Sequence, residues 1–207
     1  MALSDDLKEL SAWLDQLPRV GMQALGGSGA PMFVLDFILI GATKRSLGLG
    51  HGLVAMVESK NMMCARALVR MQIDTVSRLL AYTYVVDPEH VAKEVIGGKK
   101  LNKFKSREGK TLVDGYLIDR MTKTYPWVRT VYDLTSGEIH FSEKQFFASI
   151  HSLDEDTRMM RMEIGPSDIK FPEWSWIEVV TCFSKLCEIL VQTVASYASH
   201  KAASNSS

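Results

Sequence analysis

Residues 172–199 read PEWSWIEVVTCFSKLCEILVQTVASYAS, and this stretch decides the fold class. Trp176, Val180, Phe183, Cys187, Leu190, Val194 and Tyr197 recur at spacings of four and three. At 3.6 residues per turn they share one helical face. Val179, Leu186 and Val191 flank that stripe and widen it beyond the seam a simple helix pair needs. A face this wide is either central to a bundle or shared with a second copy. We expect a symmetric homodimer with this helix in the interface. The end of the chain, SHKAASNSS, is polar, and residues 201–207 read as a disordered tail.

Working outward, the rest of the chain is also mostly helical in pattern. Leu3, Leu7, Leu10, Leu14 and Leu17 form one stripe, with Ser4, Asp5 and Asp6 suited to its N-terminal end. Pro18 is expected to stop this helix, and residues 18–30 to form a flexible connection rich in glycine at its end. The bundle domain then spans residues 31–200. A long helix is expected from Pro31 to about Ser59. Gly41, Gly48 and Gly52 share one of its faces. They imply close approach of another backbone there, or a break near residues 48–52. A central helix follows over about 60–86. Asp87-Pro88-Glu89 starts a short helix that ends before Gly97-Gly98. Thr111 and Asp114 resemble a capping pair for the next helix, and Tyr125-Pro126 turns the chain into another, ending near Ser136. In 158–164, RMMRMEI, the residues alternate, with Met160, Met162 and Ile164 facing one way. That predicts a strand paired with 146–152 around an Asp154-Glu155-Asp156 turn, its methionine face packed on the bundle. The expected fold is mainly α: a multi-helix bundle with one small β-hairpin at about 146–164.

Composition narrows the function classes. Lysine plus arginine equals aspartate plus glutamate at 24 each, which argues against a broad electrostatic nucleic-acid binder but leaves room for a local patch. Cys64, Cys182 and Cys187 lie in apolar helical patterns and form no disulfide framework, so a reducing, cytoplasmic compartment is expected. Asp36, Lys44, Arg45 and His51 interrupt the most apolar stretch, making it a poor membrane span.

No GxxxxGK[ST], GxGxxG, CxxC, HExxH or GxSxG is present, which disfavours P-loop enzymes, common zinc hydrolases and α/β-hydrolases. No metal or cofactor is expected. Two basic features remain. Arg66, Arg70, Asp74 and Arg78 lie four apart on the central helix. They make either a solvated, salt-bridged face or an anion-binding row. Residues 99–110, KKLNKFKSREGK, carry Lys99, Lys100, Lys103 and Lys105 around Phe104. Such a segment is a solvated loop, or one that tracks an RNA backbone and stacks a base.

Two stretches carry a family resemblance. Cys64 to Arg70, continuing to Ala81-Tyr82, resembles the core helix of a bacterial family related to the HEPN (higher eukaryotes and prokaryotes nucleotide-binding) helical bundles. Arg66 matches that helix, whereas Arg70 stands where an acid is usual. Tyr132-Asp-Leu-Thr-Ser136-Gly-Glu-Ile-His140 is similar to the family's tyrosine–serine–histidine signature. The resemblance covers roughly residues 45–150 and implies a bundle of long helices. It also implies a binding role in a defence or stress system or, as the alternative, a metal-independent endoribonuclease. In the latter, histidine would be general base to a ribose hydroxyl, and arginine would hold the scissile phosphate. The candidate pairs are Arg45 with His51 and Arg129 with His140. On a regular helix Arg45 and His51 stand about 120° apart, so their pairing requires a break between them.

Overall fold

In the computed structural model, the described residues are 2–26, 30–139, 150–162, 164–168 and 170–204. They form seven α-helices and one two-stranded antiparallel sheet. The helices are α1 (Leu3–Leu25), α2 (Val34–Glu58), α3 (Met62–Tyr84), α4 (Pro88–Ile96), α5 (Asp114–Thr124), α6 (Trp127–Ile139) and α7 (Glu173–Ser204). This is the mainly α bundle with a small hairpin that the periodicities predict. No helix among the described residues is long and apolar enough to cross a membrane.

The stripe of α7 is the heart of the core. Trp176, Val180, Phe183, Cys187, Leu190 and Val194 are all essentially buried. So are the flanking Val179 and Leu186 and the neighbouring Ile189, whereas the flanking Val191 is half-buried. Their cover comes from within the chain, because α1, α2 and α3 all pack on α7. Most of the width that suggested a second copy is therefore used inside one bundle.

Contacts along the helices give their directions. The Leu3 N–H meets Glu173, and Thr181 donates to Asp6 at 3.1 Å, while Lys201 reaches Ala24. So α1 and α7 run parallel. Arg45 meets Thr75 and Ser46 meets Gln72, which makes α2 antiparallel to α3. Gly50 sits on Leu14, placing α2 antiparallel to α1 as well.

Three expectations are corrected here. First, Pro18 does not stop α1, which continues to Leu25. A proline inside a helix costs about 3 kcal/mol, chiefly by freeing the carbonyl four residues back. Pro18 itself lies on the exposed face of α1, so its ring does not disturb the core packing. Beyond it, Leu17, Val20 and Ala24 are buried, and large apolar side chains gain about 1.5–3 kcal/mol each that way. Tertiary burial outweighs the local break, and only residues near 26–33 connect α1 to α2.

Second, α2 is unbroken, but its tight contact falls on a different glycine. A Cβ on Gly50 would lie 2.3 Å from Leu14 Cδ2, whereas Gly41 and Gly48 face open space.

Third, the hairpin pairs β1 (Ile150–Asp154) with β2 (Met159–Met162), matching Leu153 with Met160 and Asp154 with Met159. Its turn is held by Asp154, whose Oδ1 accepts from the N–H groups of Asp156 and Thr157. The first four residues of the expected partner strand, 146–149, lie outside the described residues. The methionine face is not packed on the bundle: Met160, Met162 and Ile164 are 49%, 52% and 98% exposed. Alternation reports a pleated strand, not what covers it.

Candidate functional site

The candidate Arg–His pairs are not brought together. Arg45 and His51 both lie on the exposed side of the continuous α2, about 120° and about 9 Å apart along a regular helix. Arg45 turns toward α3, its Nε donating to Thr75 Oγ1 at 2.9 Å. Arg129 is tied to Asp119 and lies 3.8 Å from Asp133. His140 lies outside the described residues.

The arginine row of α3 divides in two. Arg66 stands over the Phe171 ring at 5.0 Å and Arg70 over the Tyr132 ring at 3.9 Å. Arg70 Nε is buried with no hydrogen-bond partner. Arg78 follows the salt-bridged reading, reaching Asp74 at 2.8 Å and Asp114 at 2.9 Å. Burial works against its charge, but the hydrogen bond and charge of Asp74, with Asp114 and Tyr132 adding, raise its pKa.

The basic segment is folded back on the bundle rather than held out as a loop. Arg107 donates its backbone N–H to Tyr84 and its Nε to Val85, both at 2.8 Å. Lys105 and Thr111 form a bridge, and Gly109 takes the positive φ of 75° that the turn between them requires. Phe104 is half-buried against the core, with Lys99 Nζ 4.7 Å from its ring centroid. That ring is therefore poorly placed to stack a base. Lys103 and Lys105 are exposed.

What the fold does assemble is a cleft of about 460 Å³ between α2, α3 and the chain following α4. Arg45 enters from α2, Arg78 from α3, and Lys99 and Lys100 from the turn after α4. Ile38, Leu79 and Leu101 supply apolar wall. Asp74 is the acid in the lining; it and Asp114 engage Arg78, and Glu94 engages Lys99 at 3.2 Å. Among the described residues, Arg45 and Lys100 have no carboxylate partner. Tyr82 also lines the cleft at 6% exposure, and burial pushes its phenol up to about 12. Its hydroxyl has no hydrogen-bond partner among the described residues.

A second polar assembly escaped the sequence reading altogether. Lys201, expected in a disordered tail, is buried on α7. Its Nζ lies 2.7 Å from Asp36 Oδ2 and donates to the carbonyls of Ala24 and Leu25 at 3.0 and 3.1 Å. Asp36 is fully buried; it also accepts from Tyr197 Oη at 2.7 Å and from the Phe33 N–H at 2.8 Å. Burial, then the hydrogen bond and charge of Asp36, raise the Tyr197 pKa. One ammonium thus closes the C-terminus of α1 and, through Asp36, fixes the N-terminus of α2. A signal was present: Lys201 is the next four-residue step after Tyr197 in the α7 stripe.

The chain was compared with family models, curated proteins and solved structures, and none of them matches it.

Proposed function

We propose that the protein acts by binding a small phosphomonoester with an apolar or aromatic body, held in the cleft of Arg45, Arg78, Lys99 and Lys100. The observation that carries this reading is the approach of Arg45 and Lys100 from different elements, without carboxylate partners, beside an apolar wall. Arginine and lysine donors suit a phosphate, and the volume lies within the roughly 300–1,000 Å³ range of small-molecule sites. The unpartnered Tyr82 hydroxyl offers a further donor or acceptor.

Calorimetric titration with phenyl phosphate tests this reading. Saturable binding is expected, weakened about tenfold or more by Arg45→Ala or Lys100→Ala, since each removes a charged hydrogen-bond donor worth about 1.5–3 kcal/mol. Both residues are exposed, so the fold should survive. Absence of binding, or binding indifferent to both variants, refutes the assignment.

The alternative, a metal-independent endoribonuclease, has one supporting observation. The two stretches that resemble the HEPN-related bundles lie against each other, with Arg70 of α3 on Tyr132 of α6. Cleavage of single-stranded RNA in the presence of chelator, lost in Arg70→Ala, would favour it over the binding role. A homodimer and a cytoplasmic location stay proposals. The three free cysteines support the latter, and the exposed methionines of the hairpin are better placed than α7 to meet a second copy.

A further inference from the structure

A larger cavity, of about 560 Å³, lies on the other side of Leu79 and Tyr82, which line both spaces. It opens between α2, α3 and α7, and its walls are mainly apolar, with Leu35, Leu39, Leu80 and Ile189 supplying much of the surface. Arg107 and His200 also line it. The Nε of Arg107 is fixed on the Val85 carbonyl, and among the described residues no carboxylate pairs with this guanidinium. Arg107, an exposed residue, thus lines an apolar cavity without a paired carboxylate. Two acids stand beside the lining and both are engaged, Asp36 by Lys201 and Tyr197 and Glu89 by the N–H groups of Val34 and Leu35. Three other polar side chains of the lining are committed: Thr193 donates to Ile189, Gln192 to Glu188, and Thr83 to Leu80.

We propose that this cavity is a second ligand site, and that it takes an apolar monocarboxylic acid. The hydrocarbon lies along Leu35, Leu39, Leu80 and Ile189, and the carboxylate meets Arg107. An arginine with Nε occupied still offers its terminal pair of N–H donors, which match two carboxylate oxygens. His200 carries at least one N–H in any protonation state and adds a second donor at the rim. A phosphate dianion fits less well here than in the neighbouring cleft, because one guanidinium stands where the cleft gathers four cations. The hydrocarbon supplies most of the affinity through burial of its methylenes, and Arg107 supplies the selectivity for an acid.

The test is calorimetric titration of the full chain with decanoate, with decanol as the uncharged chain of equal length and phenyl phosphate as the phosphate control. Decanoate is expected to bind saturably, and decanol at least about tenfold more weakly. Arg107→Gln should bring decanoate down to the level of decanol. Ser196→Trp, at an exposed lining position, should abolish binding by filling the space while far-UV circular dichroism stays unchanged. Arg45→Ala and Lys100→Ala should leave decanoate binding intact, so failure of the phosphate cleft and failure of this site are read separately. Equal affinity for decanoate and decanol, insensitivity to Arg107→Gln, displacement of decanoate by phenyl phosphate, or no binding at all would each overturn the proposal.

Discussion

Replacing Lys201 with methionine removes the ammonium from Asp36 while keeping most of the side chain's volume. In the folded protein Asp36 is then a fully buried carboxylate with Tyr197 and the Phe33 N–H as its remaining partners. Removing one member of a buried ion pair costs about 3–5 kcal/mol, because the other charge stays desolvated. The carbonyls of Ala24 and Leu25 lose a donor as well. Two remaining hydrogen bonds to Asp36 hold the loss near the lower bound, so about 3 kcal/mol is expected. That is a large share of a total stability of about 5–15 kcal/mol. Urea unfolding at neutral pH, followed by circular dichroism, measures it. Truncation after His200 should cost at least as much, although it removes only seven polar-looking residues. Adding Asp36→Asn to Lys201→Met should recover part of the loss, since the amide keeps an acceptor and carries no charge. A loss below about 1 kcal/mol in the single variant, or a neutral truncation, would refute the reasoning.

Other consequences are as direct. Gly41→Ala and Gly48→Ala face open space and should stabilise α2 by up to about 1 kcal/mol each. Gly50→Ala must displace the buried Leu14 and should destabilise; denaturation midpoints that rank the three alike would contradict the packing. Tyr82 titrates at about 12 in the folded chain, so its contribution to stability is complete below its unfolded value of about 10. It is lost as pH rises through 12, since only the unfolded phenol ionises in between. Tyr82→Phe should therefore flatten the alkaline decline of stability, and an unchanged profile would count against a buried phenol. Cys187 is fully buried and its thiol is pushed up to about 12, so iodoacetamide should leave it unlabelled in native protein and modify it in urea. Prompt native labelling of Cys187, read by peptide mass, would show that α7 is less central than described.

Elements written in local chemistry were legible in the sequence. The α4 helix is spelled out by Asp87, whose side chain accepts from the His90 N–H, by Pro88 in its first turn and by Gly97 at its end. The α7 stripe is likewise a property of spacing alone. Features set by partners distant in sequence were not legible. Pro18 breaks helices in isolation, yet α1 continues because Leu17, Val20 and Ala24 are buried where α1 packs on α7 and α2. Which glycine of α2 is tight depends on where Leu14 comes to rest. Glu89 reads as a first-turn acid of α4, but it also accepts from the Val34 N–H at 2.9 Å and so caps α2. At the candidate site, Lys99 and Lys100 stood out as basic residues and Arg45 as half of an Arg–His spacing. Their convergence on one cleft depends on the antiparallel packing of α2 on α3 and on the turn after α4. The sequence states neither.

Amide chemical shifts of isotopically labelled protein during titration with phenyl phosphate test the cleft assignment most directly. It predicts saturable shifts concentrated at residues 99–102 and around Arg45 and Thr75, abolished by the Arg45→Ala, Lys100→Ala double variant. Shifts confined instead to residues 66–70 and 131–136, or none at saturating phenyl phosphate, would contradict it.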